Sequence, residues 1–241
     1  MVRNEHLFNQ DLWAGPMDTL DVHIPTRVLR SKSSKSLKES FNAIWENALN
    51  NIKNFTSMRE LAKTGSFTHV PRASPWSLQV LRTRSTADAA WVAPLRATLL
   101  DTYTRAYTAL AAGDAKTLKR LTLPEFAAAA RAALPAPPGA KGPLTYKWRL
   151  HKLTAPAQIV SIRAVTAHYG LTEPITGNRL LVNALVRIES EQTLHVYDRT
   201  GALVRGVGQT APRRVVEYLV FEKRMWYEKP WIIRERMYET S

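Results

Sequence analysis

The sequence predicts an α+β fold in which helices pack on a curved antiparallel sheet. Helical periods fill residues 36–62 and 86–134, and from Tyr146 onward the chain turns to β-branched and aromatic runs. No strand–helix–strand alternation links the two parts, so the strands should pair with one another while the helices cover one face. Turn signals at Gly170, Gly177-Asn178, Asp198–Gly201 and Lys229-Pro230 separate the apolar runs.

The first 35 residues have no sustained period, and Gly15-Pro16 and Ile24-Pro25 break any helix there. An extended arm is expected. Its second part, TRVLRSKSSKSLK, carries Arg27, Arg30, Lys32, Lys35 and Lys38 with no acid among them. Cations interleaved with serine suit a segment that tracks phosphates, serine adding hydroxyl donors. Residues 36–62 should be a helix, because Ser36 and Glu39 have capping-box spacing. Its apolar residues Leu37, Phe41, Ile44, Ala48, Ile52 and Phe55 recur at three- and four-residue steps, widened by Trp45 and Leu49. That stripe is expected to be buried, most simply by packing back on the chain's own domain. Residues 64–85 are rich in Pro, Gly and Ser, with Arg72, Arg82 and Arg84; they read as a connector, with Trp76 as its buried anchor. The domain division follows: 1–85 as an N-terminal extension, 86–241 as an α+β domain.

Residues 86–112 are expected to form the longest helix, with Val92, Leu95, Leu99, Ala106 and Leu110 as its buried stripe; Pro94 allows a start nearer Trp91. Gly113 supplies the left-handed residue that ends helices, and Asp114 can cap the next one. That short helix turns Leu118 and Leu121 inward and Lys116, Lys119 and Arg120 outward. Pro124 opens a third helix at a first-turn position where proline is tolerated, and residues 134–143 form a loop. In the strand half, the run over 180–197 is long enough to be bent or bulged. Val216, Tyr218 and Val220 share one face of a later strand, Glu217, Leu219 and Phe221 the other.

Composition sets limits on function. The 241 residues include no cysteine, which excludes disulfides, thiolate nucleophiles and Cys-ligated zinc. No apolar run approaches the ~18–20 residues that span a bilayer. The formal net charge is +14, divided as −3 over residues 1–25, +7 over 26–90 and +10 over 91–241. A chain this basic is expected to meet a polyanion, either nucleic-acid phosphates or anionic lipid. A mitochondrial presequence would be Arg-rich and acid-poor, whereas Glu5, Asp11, Asp18 and Asp21 lie at the start; a removed presequence and mature structure both fit.

The order of elements resembles the cone-shaped nuclear-transport-factor-2-like architecture. Residues 107–121, with the core ALxxGDxxxLKRL, resemble the helix–corner–helix of the domain shared by the forty-four-kilodalton mitochondrial import-motor subunit and its relatives. VVEYLVFEKRMW and the following Trp231-Ile232-Ile233-Arg234 are similar to that domain's closing strands. The likeness covers roughly residues 88–238. The long charged helical region of the import-motor branch is lacking, so the chain is closer to the branch of mitochondrial large-subunit ribosomal proteins and membrane ribosome receptors. That resemblance implies a non-enzymatic protein of the mitochondrial matrix, at the inner membrane near the polypeptide exit tunnel. Its implied partners are ribosomal RNA, neighbouring large-subunit proteins, the inner-membrane surface and the insertion machinery, with no small-molecule substrate. A peripheral scaffold of protein translocation is the alternative.

The same architecture also hosts small-molecule enzymes. Here His151, His168, Tyr169, His195 and Asp198 are the available groups, and they form no motif. No HExxH, Gly-rich phosphate loop or EF-hand occurs, so no catalytic residue, cofactor or metal is expected. The expected RNA-binding residues are Arg27, Arg30, Lys32, Lys35 and Lys38 in the arm and Arg72, Arg82 and Arg84 in the connector. Lys116, Lys119 and Arg120 on the short helix join them, as do Arg213 and Arg214 at an exposed turn where a strand begins.

Overall fold

Four strands pair in the order β1-β2-β3-β4, all antiparallel. They are β1 (Thr145–Thr166), β2 (Leu180–Tyr197), β3 (Gln209–Arg224) and β4 (Ile232–Met237). The computed structural model describes residues 15, 17–26, 37–66, 73–137 and 142–239. Among these, the helices are α1 (Leu37–Lys63), α2 (Leu78–Leu81), α3 (Ala93–Ala112), α4 (Ala115–Leu121) and α5 (Pro124–Ala132). The fold is the expected α+β class, with helices on a curved open sheet.

The curvature comes from β1. The two apolar runs expected as separate strands form one strand of 22 residues. Its register against β2 shifts four times, first at Leu150/Lys152 and last at Ile159/Ser161. Each bulge sets extra residues of β1 against β2 and bends the strand. Pro212, which lacks an N–H, lies on β3 before β4 begins to pair at Tyr218; a strand bordered on one side tolerates it.

The main core lies between the sheet and α3. Leu95, Leu99, Tyr103 and Ala106 pack with Ile159, Ile162, Val182, Val186, Leu219, Phe221 and Ile233. Each buried Leu, Ile, Val or Phe among them contributes roughly 1.5–3 kcal/mol of burial. The alternation read in β3 holds: Leu219 and Phe221 face this core, while Tyr218 and Val220 join Val160 and Leu185 in a second cluster on the opposite face. Val22 and Ile24 pack against that second cluster. Leu20 N–H donates to Asn183 Oδ1 at 2.8 Å, and His23 N–H to Ser161 Oγ at 3.2 Å. This part of the arm is therefore laid across the sheet.

The corner is as expected. Gly113 ends α3 at φ 72°, and Asp114 accepts from the N–H groups of Lys116 and Thr117. Thr122 bridges to Ile233, and Leu123 N–H donates to the Ile233 carbonyl at 2.9 Å, which ties the corner to β4. Three expectations are corrected. The longest helix is α1, of 27 residues; α3 begins at Ala93, because Pro94 sets its first turn and Arg96 holds the carbonyls of Thr86 and Ala87 in the turns before it. Trp76 is 62% exposed rather than buried, lying beneath the Arg59 guanidinium 3.9 Å from its ring centroid.

The third correction concerns α1. Its apolar stripe faces outward: Phe41, Ile44, Trp45 and Ile52 are all more than half exposed. The helix docks through its polar face. β1 is an edge strand, and Asn50, Asn54 and Ser57 hydrogen-bond along its free edge. Asn54 Oδ1 accepts from Ile162 N–H at 2.8 Å, Ser57 Oγ accepts from Ala164 N–H at 3.2 Å, and Asn50 Nδ2 donates to the Val160 carbonyl at 3.2 Å. Unpaired edge groups invite association with other strands, and a helix bearing short amides satisfies them as a neighbouring strand would. Only the C-terminal turns of α1, with Met58 and Leu61, enter the main core.

Candidate functional site

The expected basic residues fall into separate places. Arg27, Arg30, Lys32, Lys35 and Arg72 lie outside the described residues. Lys38 is exposed at the start of α1, and Arg82 is exposed in the turn after α2. Arg84 is half-buried beside it. Lys116, Lys119 and Arg120 are exposed on α4, as the helical period requires. Arg213 and Arg214 are not on a turn; they lie within β3, opposite Gln192 and Glu191. Arg214 donates to Glu189 at 2.5 Å, and Arg187 bonds the same carboxylate. The Arg214 bond, with Arg187 behind it, holds the Glu189 pKa below its ordinary value against the opposing effect of burial.

These clusters are not one patch. α4 meets the sheet near Ile233, which pairs with Phe221. Arg213 is eight residues further along β3, about 26 Å at ~3.3 Å per residue. Arg82 and Arg84 sit on another flank, where Gln158 of β1 donates to the Arg84 carbonyl at 3.0 Å.

Much of the domain's positive charge is consumed internally. Glu222 is 1% exposed and bonds both Arg224 and Arg234. Arg163 is held by Asp21 at 3.0 Å and by the oxygens of Asn50 and Asn54 at 2.8 Å each. Burial works against ionisation of Asp21, but Lys53 and Arg163 outweigh it and lower its pKa. Lys116, Lys119 and Arg120 on α4 and Arg82 after α2 are part of the exposed positive charge that remains, with Arg131, Lys147, Arg149, Arg199, Arg205 and Arg213.

A cavity of about 510 Å³ opens between α3, α5 and the sheet, lined by Tyr107, Leu110, Phe126, Ala130, Trp148, Leu194 and Val215. At one side Glu217 accepts from Tyr103 at 2.6 Å and Tyr107 at 2.7 Å, and it pairs with Arg236. Gln192 Nε2 donates to the Tyr103 oxygen at 2.6 Å. Burial and the Glu217 charge push both phenols far above their ordinary pKa, so they stay protonated donors. Burial also disfavours the Arg236 charge, but Tyr107 and Glu217 more than compensate and raise its pKa. The network is internally satisfied, and sequence reading passed over it because its members are far apart in the chain.

The groups weighed for chemistry are placed elsewhere. His151 meets Thr193 at 3.1 Å, and His195 meets the Thr210 carbonyl at 3.2 Å. Asp198 caps its own turn through Thr200 and Ala202. Among the described residues no cluster of His, Asp and Glu is arranged to hold a metal ion, and no helix is long and apolar enough to cross a membrane.

No family model matches the chain. It is 33% identical over 81 residues to large ribosomal subunit protein mL45 of Bos taurus, a stretch covering 34% of this chain and 24% of that protein. The mL45 proteins of Drosophila melanogaster and Xenopus laevis are 33% and 32% identical over 81 residues, covering 20% and 23% of their lengths. The match thus spans about a quarter of these relatives. Over a third of its length, then, the chain is similar to the large ribosomal subunit protein mL45 of three animals.

Proposed function

We propose that the chain is a non-enzymatic component of the mitochondrial large ribosomal subunit, in the matrix at the inner membrane. It binds ribosomal RNA near the polypeptide exit and helps tether the ribosome to the membrane for nascent-chain insertion. The observation that carries the reading is likeness to large-subunit ribosomal proteins in a chain of net charge +14. RNA phosphate is the partner that rewards such a charge. The residues proposed to meet it are Arg27, Arg30, Lys32, Lys35 and Lys38 of the arm, Arg72, Arg82 and Arg84, Lys116, Lys119 and Arg120, and Arg213 and Arg214.

The membrane part of the reading draws support from α1. A helix that spends its polar face on its own domain and turns Phe41, Ile44, Trp45 and Ile52 outward offers an apolar face to a lipid interface. Translocation scaffolding is the second reading, favoured by the open apolar cavity, whose size suits a lipid chain or a peptide segment.

Sedimentation of gently lysed mitochondria through a sucrose gradient tests the reading. The expected result is cosedimentation with the large subunit, surviving high salt for an integral protein and released at modest salt for an electrostatically held receptor. Charge reversal of Arg27, Arg30 and Lys32 should weaken that association in a salt-dependent way. Absence from ribosomal fractions at every salt overturns the ribosomal assignment in favour of the scaffold.

A further inference from the structure

The turn between α2 and α3 is built firmly. Ser85 N–H donates to the Arg82 carbonyl at 3.0 Å, and Gln158 holds the Arg84 carbonyl. Arg96 donates to the carbonyls of Thr86 at 3.0 Å and Ala87 at 2.7 Å. Yet Arg84 Nε, Arg84 Nη2 and Thr83 Oγ1 are all shielded from solvent without a hydrogen-bond partner. Thr83 is only 4% exposed. Thr83 and Arg84, with Asn51, Arg82 and Ser85, line a cleft of about 360 Å³.

An unanswered guanidinium in a shielded position is costly, because the charge loses water and gains nothing. Arg96 meets it in part, with carbonyls on its Nη atoms and no partner on Nε, while other shielded arginines are ion-paired. Arg163 is answered by Asp21, Arg187 by Glu189, and Arg224 and Arg234 by Glu222. Arg84 has no such carboxylate, and burial accordingly presses its pKa downward. The nearest acids along the chain are Glu60 and Asp88, and neither is ion-paired with Arg84. Among the described residues no carboxylate answers Arg84, which leaves it open to an external anion. Two adjacent N–H donors on one edge of a guanidinium match two oxygens of a tetrahedral anion, a geometry that arginine supplies and lysine does not.

We propose that the Arg82–Ser85 turn is a phosphodiester site. On binding, the Arg84 side chain turns its Nε and Nη2 edge into the cleft to donate side-on to two non-bridging oxygens, the Thr83 hydroxyl is uncovered to donate to a further phosphate oxygen, and Arg82 adds exposed charge at the rim. This site deepens the RNA-binding reading and rests on it.

The test uses the full chain with two probes: a labelled RNA hairpin, and phosphatidylcholine vesicles containing cardiolipin. Arg84→Gln should weaken hairpin binding roughly tenfold and lower the slope of log affinity against log salt by about one. Arg84→Lys should restore the slope but not the full affinity. Arg105→Gln, on an exposed residue paired with Asp101, should change neither. Without RNA, Arg84→Gln should raise the unfolding midpoint by about 2–4 °C, since it removes an unanswered charge. An arginine with a purely structural role would give a lower midpoint instead, and that result overturns the site. A loss confined to vesicles keeps the phosphate site and assigns it to a lipid headgroup. If the wild type binds the hairpin and Arg84→Gln binds both probes equally well, the site is overturned while the RNA reading stands. If the wild type binds neither probe, both fall.

Discussion

Glu217 shows what a single residue does in this fold. Its strand position was legible as one of alternating faces, and that face is the buried one. A carboxylate there requires partners, and it has four: two phenols from successive turns of α3, one guanidinium from β4 and the Gln192 amide of β2. It thereby pins helix to sheet at the mouth of the cavity. Tyr103 and Tyr107 stay protonated at any ordinary pH, so they donate throughout. Replacing Glu217 by Ala leaves Arg236 without its carboxylate and both hydroxyls without their acceptor. Removing one member of a buried ion pair costs about 3–5 kcal/mol. At ~2–4 °C per kcal/mol for a chain of this size, the thermal midpoint should fall by roughly 10 °C. Circular dichroism melts of the two proteins check this, and a fall of a degree or two would mean the network is not a structural pin.

At the scale of elements, α1 carries the most instructive difference between sequence and structure. The helix and its bounds were legible from periodicity. Its orientation was not, because an apolar stripe ordinarily marks the inward face. Here a second stripe competes: Asn47, Asn50, Asn54 and Ser57 recur at the same three- and four-residue steps. Short amides on one face are a readable sign of backbone to be satisfied, but only pairing order reveals that β1 has a free edge. The corner at Gly113-Asp114 was legible because its chemistry is local. The merged β1 and the pairing of Arg214 with Glu189 were not, because each depends on residues distant in sequence. The inverted helix makes a double prediction. Asn54→Ala should destabilise the chain by about 1–3 kcal/mol, leaving Ile162 N–H and part of the Arg163 guanidinium unsatisfied. Trp45→Ser should cost less than about 0.5 kcal/mol, as an exposed surface change does. Urea denaturation of both variants decides it; the reverse order would restore the conventional inward stripe.

At the scale of the whole molecule, the fold and the charge are solved together. Internal carboxylates absorb arginines within the sheet and beside α1, while exposed cations are left on α4, after α2, on α5 and along the strands and turns. The division into an extension over 1–85 and a domain over 86–241 has to be weighed against what the extension does. Residues 17–26 cover the outer cluster, α1 caps the β1 edge, and Met58, Leu61 and Val80 enter the main core. We propose that 86–241 is the folding unit and that the extension is both its edge cover and its means of attachment. A chain beginning at residue 86 would expose the β1 edge, the Val160–Val220 face and Arg163 stripped of Asp21. It should keep its sheet signature in circular dichroism, melt at least about 10 °C lower at ~2–4 °C per kcal/mol, and associate at concentrations where the full chain stays monomeric. Adding residues 37–85 back without the arm should return most of the midpoint but only part of the ribosome association. If the chain from residue 86 melts as the full chain does, edge capping contributes nothing. If it does not fold at all, the boundary lies upstream of α1, and the extension is part of the domain.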